Sequence, residues 1–414
     1  MVAPHLISWN LTRRCNLACG HCYLDAVQRK SETSDELTLP EVVRVIDEIA
    51  EFASGAMLVL TGGEPLLRRD LGDIVEHAAV VGLMPVVGTN GILLDAARAQ
   101  YLRERGAAGV GISLDSTMPE FHDRLRGHEG AWQGALAGMR AARAAGLGVL
   151  MQATLFEENR HELAGFADLA AEVGAMALNF FFLVCTGRGV TQTDLSGQAY
   201  EETLSGILAL QQARPKLMIR ARCAPYARRM LGLHAGEVAE GYAEWSSACL
   251  AGRRYLRIGP KGEVTPCPYV PDGSGSVRSQ PLREIWDTGA DFVRLRDEMP
   301  GGKCGACDYR VSCGGCRARA LATTGDLMDE DGKCNYCPPV SANPELPSQR
   351  CASALAWSPE AQRLLERIPS FVRAKVRASL EQKASAAGEV IVSADFMRRQ
   401  RPANLPFSRP NSRD

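Results

Sequence analysis

Three cysteines near the start of the chain have a spacing that suits iron–sulfur chemistry. Cys15, Cys19 and Cys22 form a C-x3-C-x2-C pattern directly after the apolar run at 6–10. Three thiolates can ligate three irons of a [4Fe–4S] cube and leave the fourth iron open to a small molecule. A closed zinc site would need four ligands, and His21 could supply the fourth. Taken alone, the pattern therefore leaves a zinc site as an alternative.

Polar residues follow three further apolar runs, and each run predicts a buried strand. Glycines let backbone donors approach a ligand closely, and a carboxylate can accept a hydrogen bond from an ammonium group. Ligand sites of (β/α) barrels lie at the C-terminal ends of the strands, so these residues are expected to meet around one ligand. The residues that follow the three runs and are expected at the ligand are Gly62, Gly63, Glu64, Asn90, Ser113 and Asp115.

The second half of the chain carries its cysteines in a different pattern. Cys249-x12-Gly262-x4-Cys267 predicts a hairpin, with a turn at 260–262 between strands at 255–258 and 263–265. A C-x2-C-x5-C-x2-C run and one distant cysteine follow, at Cys304, Cys307, Cys313, Cys316 and Cys334. Zinc ribbons also use C-x2-C pairs, so a four-thiolate zinc site is the alternative to iron–sulfur clusters here.

The composition indicates an ordinary globular protein. The chain has 414 residues, of which 46% are hydrophobic and 23% charged, and this length suggests two or three domains. A net charge of −1 gives no indication of nucleic acid as a partner, and no apolar run predicts a membrane span. The first residues lack a secretory signal, so we expect a cytoplasmic protein. In that compartment, 14 cysteines indicate metal binding or catalysis rather than disulfides.

The first 184 residues alternate between strand and helix patterns, which implies right-handed crossovers and a parallel sheet. The predicted strands are 6–10, 57–61, 84–89, 109–114, 147–154 and 176–184. The predicted helices are 40–52, 71–81, 95–105, 131–145 and 162–173. The segment 122–127 is expected to be a charged loop that caps the next helix, and Phe180, Phe181 and Phe182 are expected in the core. Arg188, between two glycines after the sixth strand, could clamp a carboxylate.

The order of these motifs resembles that of the radical S-adenosylmethionine (SAM) superfamily. The resemblance implies an α/β fold with a partial (β/α)6 barrel over residues 1–200, and a [4Fe–4S] cluster whose open iron binds SAM and releases a 5′-deoxyadenosyl radical. It implies that Cys15, Cys19 and Cys22 ligate this cluster. By the same resemblance, Gly62, Gly63 and Glu64 hold the methionyl amine of SAM, with Asn90 nearby, and Ser113 and Asp115 contact its ribose or carboxylate. A helix N-cap is the alternative role for Ser113 and Asp115.

Residues 201–340 resemble the SPASM extension of radical SAM enzymes, which carries auxiliary [4Fe–4S] clusters. The resemblance implies one cluster on Cys304, Cys307, Cys313 and Cys334. It implies a second on Cys249, Cys267 and Cys316, with Cys223 as the best candidate for the fourth ligand. The family spaces its last pair C-x3-C, whereas Cys313 and Cys316 are C-x2-C. This departure leaves the ligands of the second cluster open.

Five segments are similar to one branch of this family, whose members modify propionate side chains of iron tetrapyrroles. They are 7–10, 122–127, 183–189, 223–225 and 313–320. The resemblance implies an iron tetrapyrrole substrate and a low-potential electron donor such as ferredoxin or flavodoxin. Removal of two propionates from didecarboxysiroheme towards heme d1 is expected ahead of the alternative, oxidative decarboxylation of iron-coproporphyrin III to heme b. Arg188, Arg317 and Arg319 could pair with substrate carboxylates, and a surface charge is the alternative for each of them. Cys185 and Tyr226 depart from the branch, which has Pro and His at these positions.

Two other functions remain open at this point. A peptide-modifying SPASM enzyme would use the same radical chemistry, and such enzymes usually carry a recognition domain before the first cysteines. Here the first cysteine is residue 15, so such a domain is not expected. A zinc-stabilised binding protein without catalytic turnover is the alternative from another class.

The composition changes after Cys337. A proline-rich segment at 341–356 predicts an extended linker. Ser358-Pro359-Glu360 then predicts the start of a helix. Residues 357–400 resemble the small C-terminal domain of light-independent protochlorophyllide reductase subunits, and an amphipathic helical pair is the alternative. The tail at 401–414 is expected to be disordered.

Overall fold

The computed structural model describes residues 3–29, 34–192, 194–232, 249–271, 273–337, 356–366 and 391–400, with scattered positions between 373 and 389. The chain divides into two compact units, Met1–Pro339 and Val340–Asp414. The predicted linker, except for its last residue, and the predicted tail lie outside the described residues.

One sheet of ten strands runs through the described part of the first unit, in the order β10-β9-β8-β1-β2-β3-β4-β5-β6-β7. Its strands are β1 (Leu6–Asn10), β2 (Met57–Thr61), β3 (Met84–Thr89), β4 (Gly109–Ser113), β5 (Gly148–Leu155), β6 (Ala177–Phe182), β7 (Met218–Arg222), β8 (Tyr255–Ile258), β9 (Glu263–Thr265) and β10 (Gly275–Ser276). From β8 to β7 all neighbouring strands are parallel, whereas β8, β9 and β10 are antiparallel.

The described helices of the first unit are α1 (Leu39–Phe52), α2 (Leu71–Val80), α3 (Ala96–Glu104), α4 (Pro119–Arg126), α5 (Ala131–Ala144), α6 (Leu163–Glu172), α7 (Gly197–Ala213), α8 (Ala227–Met230), α9 (Leu282–Thr288), α10 (Ala290–Asp297), α11 (Gly302–Gly305) and α12 (Arg317–Thr324). Seven of these described helices, α1 to α7, connect the successive parallel strands from β1 to β7, and the others follow β7 or β10 in the chain. Short 3-10 helices lie at Pro65–Leu67 and Gly187–Thr191. None of the described helices is long and apolar enough to cross a membrane.

The predicted α/β class and parallel sheet are confirmed. All six predicted strands and all five predicted helices form, with ends within two residues of the expected ones, and the 255–265 hairpin forms as predicted. The sheet extends beyond six strands, because β7 pairs with β6 and β8 pairs with β1. Strand β7 has the sequence Met-Ile-Arg-Ala-Arg. Its two arginines interrupt the hydrophobic pattern, so this strand was not predicted.

The prediction of a loop at 122–127 is wrong, because these residues belong to α4. Pro119 occupies the first turn, where a missing N–H costs nothing, and Gly127 ends the helix with φ of 64°. His122 and Arg126 point inwards and are buried. The helix therefore contributes a buried histidine and a buried arginine, and the arginine lines the internal cavity.

Alternation along the strands separates a packed core from an internal cavity. In β5, Val149, Met151 and Ala153 are fully buried in the core beneath the helices. Their neighbours Leu150 and Gln152 line the cavity instead. Because side chains alternate between the two faces of a strand, one sequence builds both surfaces. Phe180 and Phe182 lie in the core as expected, whereas Phe181 lines the cavity.

The described part of the second unit is a small helical body with a two-stranded parallel sheet. It contains β11 (Ala356–Trp357), α13 (Pro359–Glu366), β12 (Ile391–Val392) and α14 (Ala394–Arg399). The hydroxyl of Ser358 accepts from the Ala361 amide at 3.2 Å, so α13 begins where its sequence predicts. Trp357 and Phe396 pack in its own core, and the strand pair was not predicted.

Candidate functional site

The loop after β1 carries Cys15, Cys19 and Cys22, here called the N-terminal triad. Backbone amides point at two of its sulfurs, because Leu17 N lies 3.4 Å from Cys15 Sγ and Ala26 N lies 3.4 Å from Cys22 Sγ. Burial raises the pKa of Cys15 to about 12. A buried thiol with amide donors suits a thiolate bound to metal, since the metal replaces the proton and the amides stabilise the sulfur charge.

Arg188 braces this loop. Its Nε donates to the Cys19 carbonyl at 2.8 Å and its Nη1 to the Ala26 carbonyl at 3.0 Å, while its own amide donates to the Cys22 carbonyl. Two of its guanidinium nitrogens are thus bonded to backbone carbonyls, whereas the side chain also lines the cavity, so the predicted contact with a carboxylate stays a prediction. Arg188 is a positioning residue for the N-terminal triad.

Gly62 and Gly63 lie against the start of the same loop. Gly63 N donates to Thr12 O at 2.7 Å, and a Cβ on Gly63 would stand 2.2 Å from Arg14 O. A Cβ on Gly62, whose φ is 137°, would stand 2.5 Å from Thr12 O. Only glycine fits at these two positions. Both residues line the cavity next to the triad, where their backbone could face a ligand.

Glu64 does not face the cavity, so its expected contact with the SAM amine is corrected. Its carboxylate is fully buried and accepts from Leu66 N at 3.1 Å, Thr89 Oγ1 at 2.8 Å and Asn90 N at 2.9 Å. Burial raises its pKa, and these three donors oppose that rise. Glu64 therefore ties the end of β2 to the end of β3.

Asn90 and Ser113 line the cavity as predicted for ligand-binding residues. The Asn90 side chain donates to Asn16 Oδ1 at 2.8 Å, which connects it to the loop of the N-terminal triad. Ile92 N donates to its oxygen at 3.0 Å. Ligand contacts of these two residues stay predictions.

Asp115 reaches the cavity wall, but its oxygens have internal partners. Oδ1 accepts from Thr154 N at 2.9 Å, and Oδ2 pairs with Arg126 Nη2 at 2.5 Å and faces His21 Nε2 at 3.6 Å. Although burial opposes ionisation, the Arg126 charge and the two histidines lower its pKa. Asp115 therefore forms an ion pair that holds α4 against the triad loop and does not cap α4, while its predicted contact with SAM stays a prediction.

The same network reaches the N-terminal triad. Arg126 Nη1 lies 3.7 Å from Cys19 Sγ, and both Arg126 and Asp115 are nine-tenths or more buried. His122 Nδ1 accepts from the Asp115 amide at 3.0 Å. Burial, followed by the Arg126 charge, lowers the pKa of His122 to about 4. Sequence reasoning missed this network, because it places 122–127 in a loop rather than in α4.

Four cysteines of the second half line the same cavity as the N-terminal triad. These residues, here called the inner quartet, are Cys223, Cys249, Cys267 and Cys316. Burial raises the pKa of Cys267, and the other three thiols raise it further. Cys223 follows β7 directly, so it occupies the same end of the sheet as the other site residues. The structure thus brings together the four residues expected from the resemblance, Cys223 included.

The remaining expected ligands form a second group, here called the outer quartet: Cys304, Cys307, Cys313 and Cys334. Burial and its neighbours Cys334 and Cys304 raise the pKa of Cys313, and Cys304 raises that of Cys307. Tyr309 N lies 3.4 Å from Cys307 Sγ and Asp331 N lies 3.4 Å from Cys304 Sγ. None of the outer quartet lines the cavity.

The spacing of the thiols in both quartets is compatible with [4Fe–4S] clusters. Among the described residues, no three thiol, imidazole or carboxylate groups converge as a mononuclear metal site requires. A [4Fe–4S] cube holds each thiolate on a different iron, so it needs a wider spacing of the sulfurs. The amide donors at the sulfurs fit the same chemistry, because hydrogen bonds to sulfur stabilise bound clusters.

One cavity of about 440 Å³ connects the N-terminal triad with the inner quartet. Its volume lies in the range of sites for small molecules and cofactors. Small residues at the centre of the barrel, Gly88 and Gly111, leave this space open. Gln152, Asn179 and Arg222 supply polar groups along its wall. Tyr226 does not line it and lies fully buried in the core beside Tyr200, so this departure from the family branch is not at the cavity.

Arg317 and Arg319 were expected at substrate carboxylates, and the structure corrects this. Both are buried in α12, where Arg317 donates to the Asp329 carbonyl at 2.6 Å and Arg319 donates to Asp331 Oδ2 at 3.0 Å. Asp331 was missed, because it lies in the 17 residues between Cys316 and Cys334 with no motif of its own.

Comparison with known families and proteins agrees with this geometry. Residues 9–170 match the radical SAM superfamily, and residues 249–314 match the SPASM iron–sulfur cluster-binding domain. An AdoMet-dependent heme synthase of Methanosarcina barkeri is 38% identical over 344 residues, which cover 81% of this chain and 97% of that protein. The chain belongs to the radical SAM/SPASM enzymes of heme synthesis.

Two further relatives of this radical SAM/SPASM enzyme share a lower sequence identity with it. A pre-heme d1 synthase of Dinoroseobacter shibae is 31% identical over 362 residues and covers 80% of this chain and 85% of that protein. A PqqA peptide cyclase of Granulibacter bethesdensis is 28% identical, covering 82% of this chain and 89% of that protein. Among solved structures, Streptococcus suis SuiB bound to S-adenosylmethionine has a TM-score of 0.66 at 15% identity, covering 81% of this chain and 78% of that chain.

These findings establish the cofactors of the enzyme as SAM and [4Fe–4S] clusters, which removes the zinc-stabilised binding protein as an alternative. Residues 357–401 match the 57 kD subunit of proto-chlorophyllide reductase, as the resemblance of this segment predicts.

Proposed function

We propose that this enzyme oxidatively decarboxylates propionate side chains of an iron tetrapyrrole, converting iron-coproporphyrin III to heme b. The observation that carries the proposal is that the N-terminal triad and the inner quartet line the same cavity. A radical reaction that ends in oxidation needs a radical source and an electron acceptor at the same substrate. The cavity offers a place for both.

The order of similarity supports heme formation over the heme d1 reaction that the sequence favoured. The heme synthase relative is 38% identical and is covered over 97% of its length, whereas the pre-heme d1 synthase is 31% identical. Removal of propionates towards heme d1 is the second candidate, because that relative also spans 80% of this chain.

The reaction must break an unactivated C–H bond of a propionate. When bound, SAM and its cluster supply a 5′-deoxyadenosyl radical that takes this hydrogen atom, and an auxiliary cluster can take up an electron. The substrate radical then loses CO₂ and one electron, and the side chain becomes a vinyl group. Atoms and charge balance, since each carboxylate leaves as CO₂ while one hydrogen atom goes to 5′-deoxyadenosine and one electron to the acceptor.

Residues of this chain have distinct tasks in that scheme. The N-terminal triad holds the cluster that binds SAM, and the backbone of Gly62 and Gly63 faces the methionyl end of SAM. The inner quartet holds the auxiliary cluster nearest to the substrate, and the outer quartet holds the second one. Arg222 lines the cavity directly before Cys223, so its guanidinium can bind a substrate carboxylate close to the inner quartet.

The test is a product assay under anaerobic conditions. Reconstituted enzyme is incubated with SAM and a chemical reductant, together with iron-coproporphyrin III, didecarboxysiroheme or a PqqA-type peptide. We expect a loss of CO₂ from iron-coproporphyrin III by mass spectrometry, together with 5′-deoxyadenosine. Product from didecarboxysiroheme alone would favour the second candidate. Product from the peptide alone would overturn the tetrapyrrole proposal.

A further inference from the structure

A buried ion pair lies between the inner and outer quartets. Arg319 and Asp331 are 2% and 0% exposed, and Arg319 Nη1 donates to Asp331 Oδ2 at 3.0 Å. Neither residue lines the cavity, so neither is placed to touch substrate. A buried ion pair costs desolvation energy that its attraction only partly offsets. The role of the Arg319–Asp331 pair follows from its contacts with the cysteine residues of the two quartets.

Asp331 contacts both quartets. Its amide lies 3.4 Å from Sγ of Cys304, a member of the outer quartet. Its Oδ2 accepts from the amide of Cys316, a member of the inner quartet, at 2.8 Å. One residue therefore fixes a sulfur position on one side and a backbone position on the other. Gly315, next to Cys316, is also packed in place, because a Cβ there would stand 2.9 Å from the Asp331 side chain.

Arg319 extends the contact across the inner quartet. Its Nη2 donates to the carbonyl of Cys223 at 2.9 Å, and its guanidinium lies 4.9 Å from the centre of the Tyr200 ring. The Tyr200 hydroxyl donates to the same carbonyl at 2.7 Å. Cys223 has φ of 57°, which non-glycine residues rarely adopt. Two donors on one carbonyl hold this strained residue, and with it the fourth thiol of the inner quartet.

We propose that the Arg319–Asp331 pair is a positioning device that locks the inner quartet to the outer quartet and sets the reduction potential of the inner cluster. This inference rests on the proposed assignment of one [4Fe–4S] cluster to each quartet. It does not depend on which substrate the enzyme uses.

The charge of Arg319 gives the expected direction of the effect. Reduction adds negative charge to a cluster, and a buried guanidinium on its ligand backbone stabilises the reduced form. Loss of Arg319 also leaves Asp331 as an unpaired buried carboxylate, which disfavours reduction further. Both effects move the midpoint potential of the inner cluster to more negative values.

The test compares Arg319→Met, Arg319→Lys and the double variant Arg319→Met/Asp331→Asn with wild type. Each is reconstituted anaerobically, its iron is counted, and its clusters are titrated by electron paramagnetic resonance without SAM or substrate. We expect Arg319→Met to shift the inner cluster to a more negative potential and to change its spectrum. The double variant should shift less, because no carboxylate is left unpaired. Arg319→Lys should recover the potential but not the spectrum, since lysine lacks the fork that spans two acceptors.

Arg68→Met is the matched control. Arg68 is also a buried arginine, paired with Asp70 and bonded to the carbonyls of Leu11 and Leu37. Its loss should lower stability and leave the auxiliary potentials unchanged. Wild-type potentials and spectra in Arg319→Met, at full iron content, would overturn the inference. Wild-type enzyme with iron for fewer than three clusters would instead refute the proposed ligand assignment, so the two failures are distinguishable.

Discussion

The guanidinium of Arg126 lies against the thiol of Cys19, with Nη1 3.7 Å from Sγ. Arg126 is buried, and its other terminal nitrogen pairs with Asp115. A thiolate that accepts from a cation carries less charge to its iron, and hydrogen bonds to sulfur are one of the factors that set cluster potentials. The helix α4 thus places a positive charge beside a thiol of the N-terminal triad.

Replacing Arg126 by Gln should make the cluster of the N-terminal triad harder to reduce. If the guanidinium is worth about 1 kcal/mol of preference for the reduced cluster, its loss lowers the potential by about 40 mV for one electron. Spectroscopic redox titration of the SAM-free enzyme measures this shift. Arg126→Lys should retain most of the potential. An unchanged potential in Arg126→Gln would show that the contact has no electronic effect.

Substituting Cys19 by Ala should abolish SAM cleavage and spare the auxiliary clusters. Three cubes correspond to about twelve irons per chain, and loss of one leaves about eight. Iron analysis and assay of 5′-deoxyadenosine measure the two effects separately. Cys185→Ala serves as the control, because Cys185 belongs to neither the triad nor a quartet and packs beside Leu183 and Phe156. Retained cleavage in Cys19→Ala would contradict the ligand assignment.

The parts of the site that could be predicted from the sequence are those in which a short motif directly follows a predicted strand. The cysteine spacings and the glycines after β2 are local features, and their placement follows from the parallel sheet. Cys223 illustrates the limit: β7 was not predicted, so only the resemblance pointed to this residue. Once β7 is known, Cys223 lies at the same sheet end as the triad.

The roles of buried charged residues could not be predicted in this way. The three donors that occupy Glu64 come from two segments 23 residues apart in sequence, at Leu66 and at Thr89 and Asn90, and only the fold brings them together. Asp331 contacts Cys304 and Cys316 from a stretch without any motif. Arg126 required α4 to be a helix. In each case the sequence shows the residue, and the tertiary contacts decide whether its charge faces the ligand or the protein.

Glu64→Gln tests whether this residue acts through the fold. An amide presents one acceptor and one NH₂ group, so at least one of the three donors on Glu64 would face another donor. We expect a loss of about 1–3 kcal/mol in stability, and about tenfold weaker SAM binding as the Asn90 loop shifts. Thermal unfolding without SAM and calorimetric SAM titration measure both. Glu104→Gln on the surface of α3 is the control. Weaker SAM binding at unchanged stability would instead indicate a direct contact with SAM.

Arg222→Gln should weaken binding of the tetrapyrrole without preventing SAM cleavage. A charged hydrogen bond to a carboxylate is worth about 1.5–3 kcal/mol, which corresponds to about a tenfold to hundredfold rise in KM. Steady-state assays with varied substrate measure it, and 5′-deoxyadenosine formed without substrate reports the triad. Arg214→Gln is the control, because Arg214 pairs with Asp168 at the surface. A normal KM in Arg222→Gln would remove Arg222 from the substrate site.

His122 should make the enzyme less stable in mild acid. Burial lowers its pKa to about 4 in the folded protein, and its Nδ1 must stay unprotonated to accept from the Asp115 amide. An unfolded histidine titrates near 6.5, so below this pH the unfolded chain binds a proton that the folded chain refuses. The stability that His122 contributes is therefore present above about pH 6.5 and is lost as the pH falls towards 4.

His122→Asn isolates this effect, because asparagine keeps an acceptor but does not titrate. Between pH 7 and pH 5, wild type should lose about 2 kcal/mol more stability than the variant, since 1.5 pH units below the unfolded pKa correspond to this amount. Denaturant unfolding at several pH values measures the difference, and any acid loss of iron affects both proteins alike. His21, whose pKa burial also lowers to about 4, remains in both and cancels. Parallel stability curves for the two proteins would show that His122 is protonated without cost in the folded state.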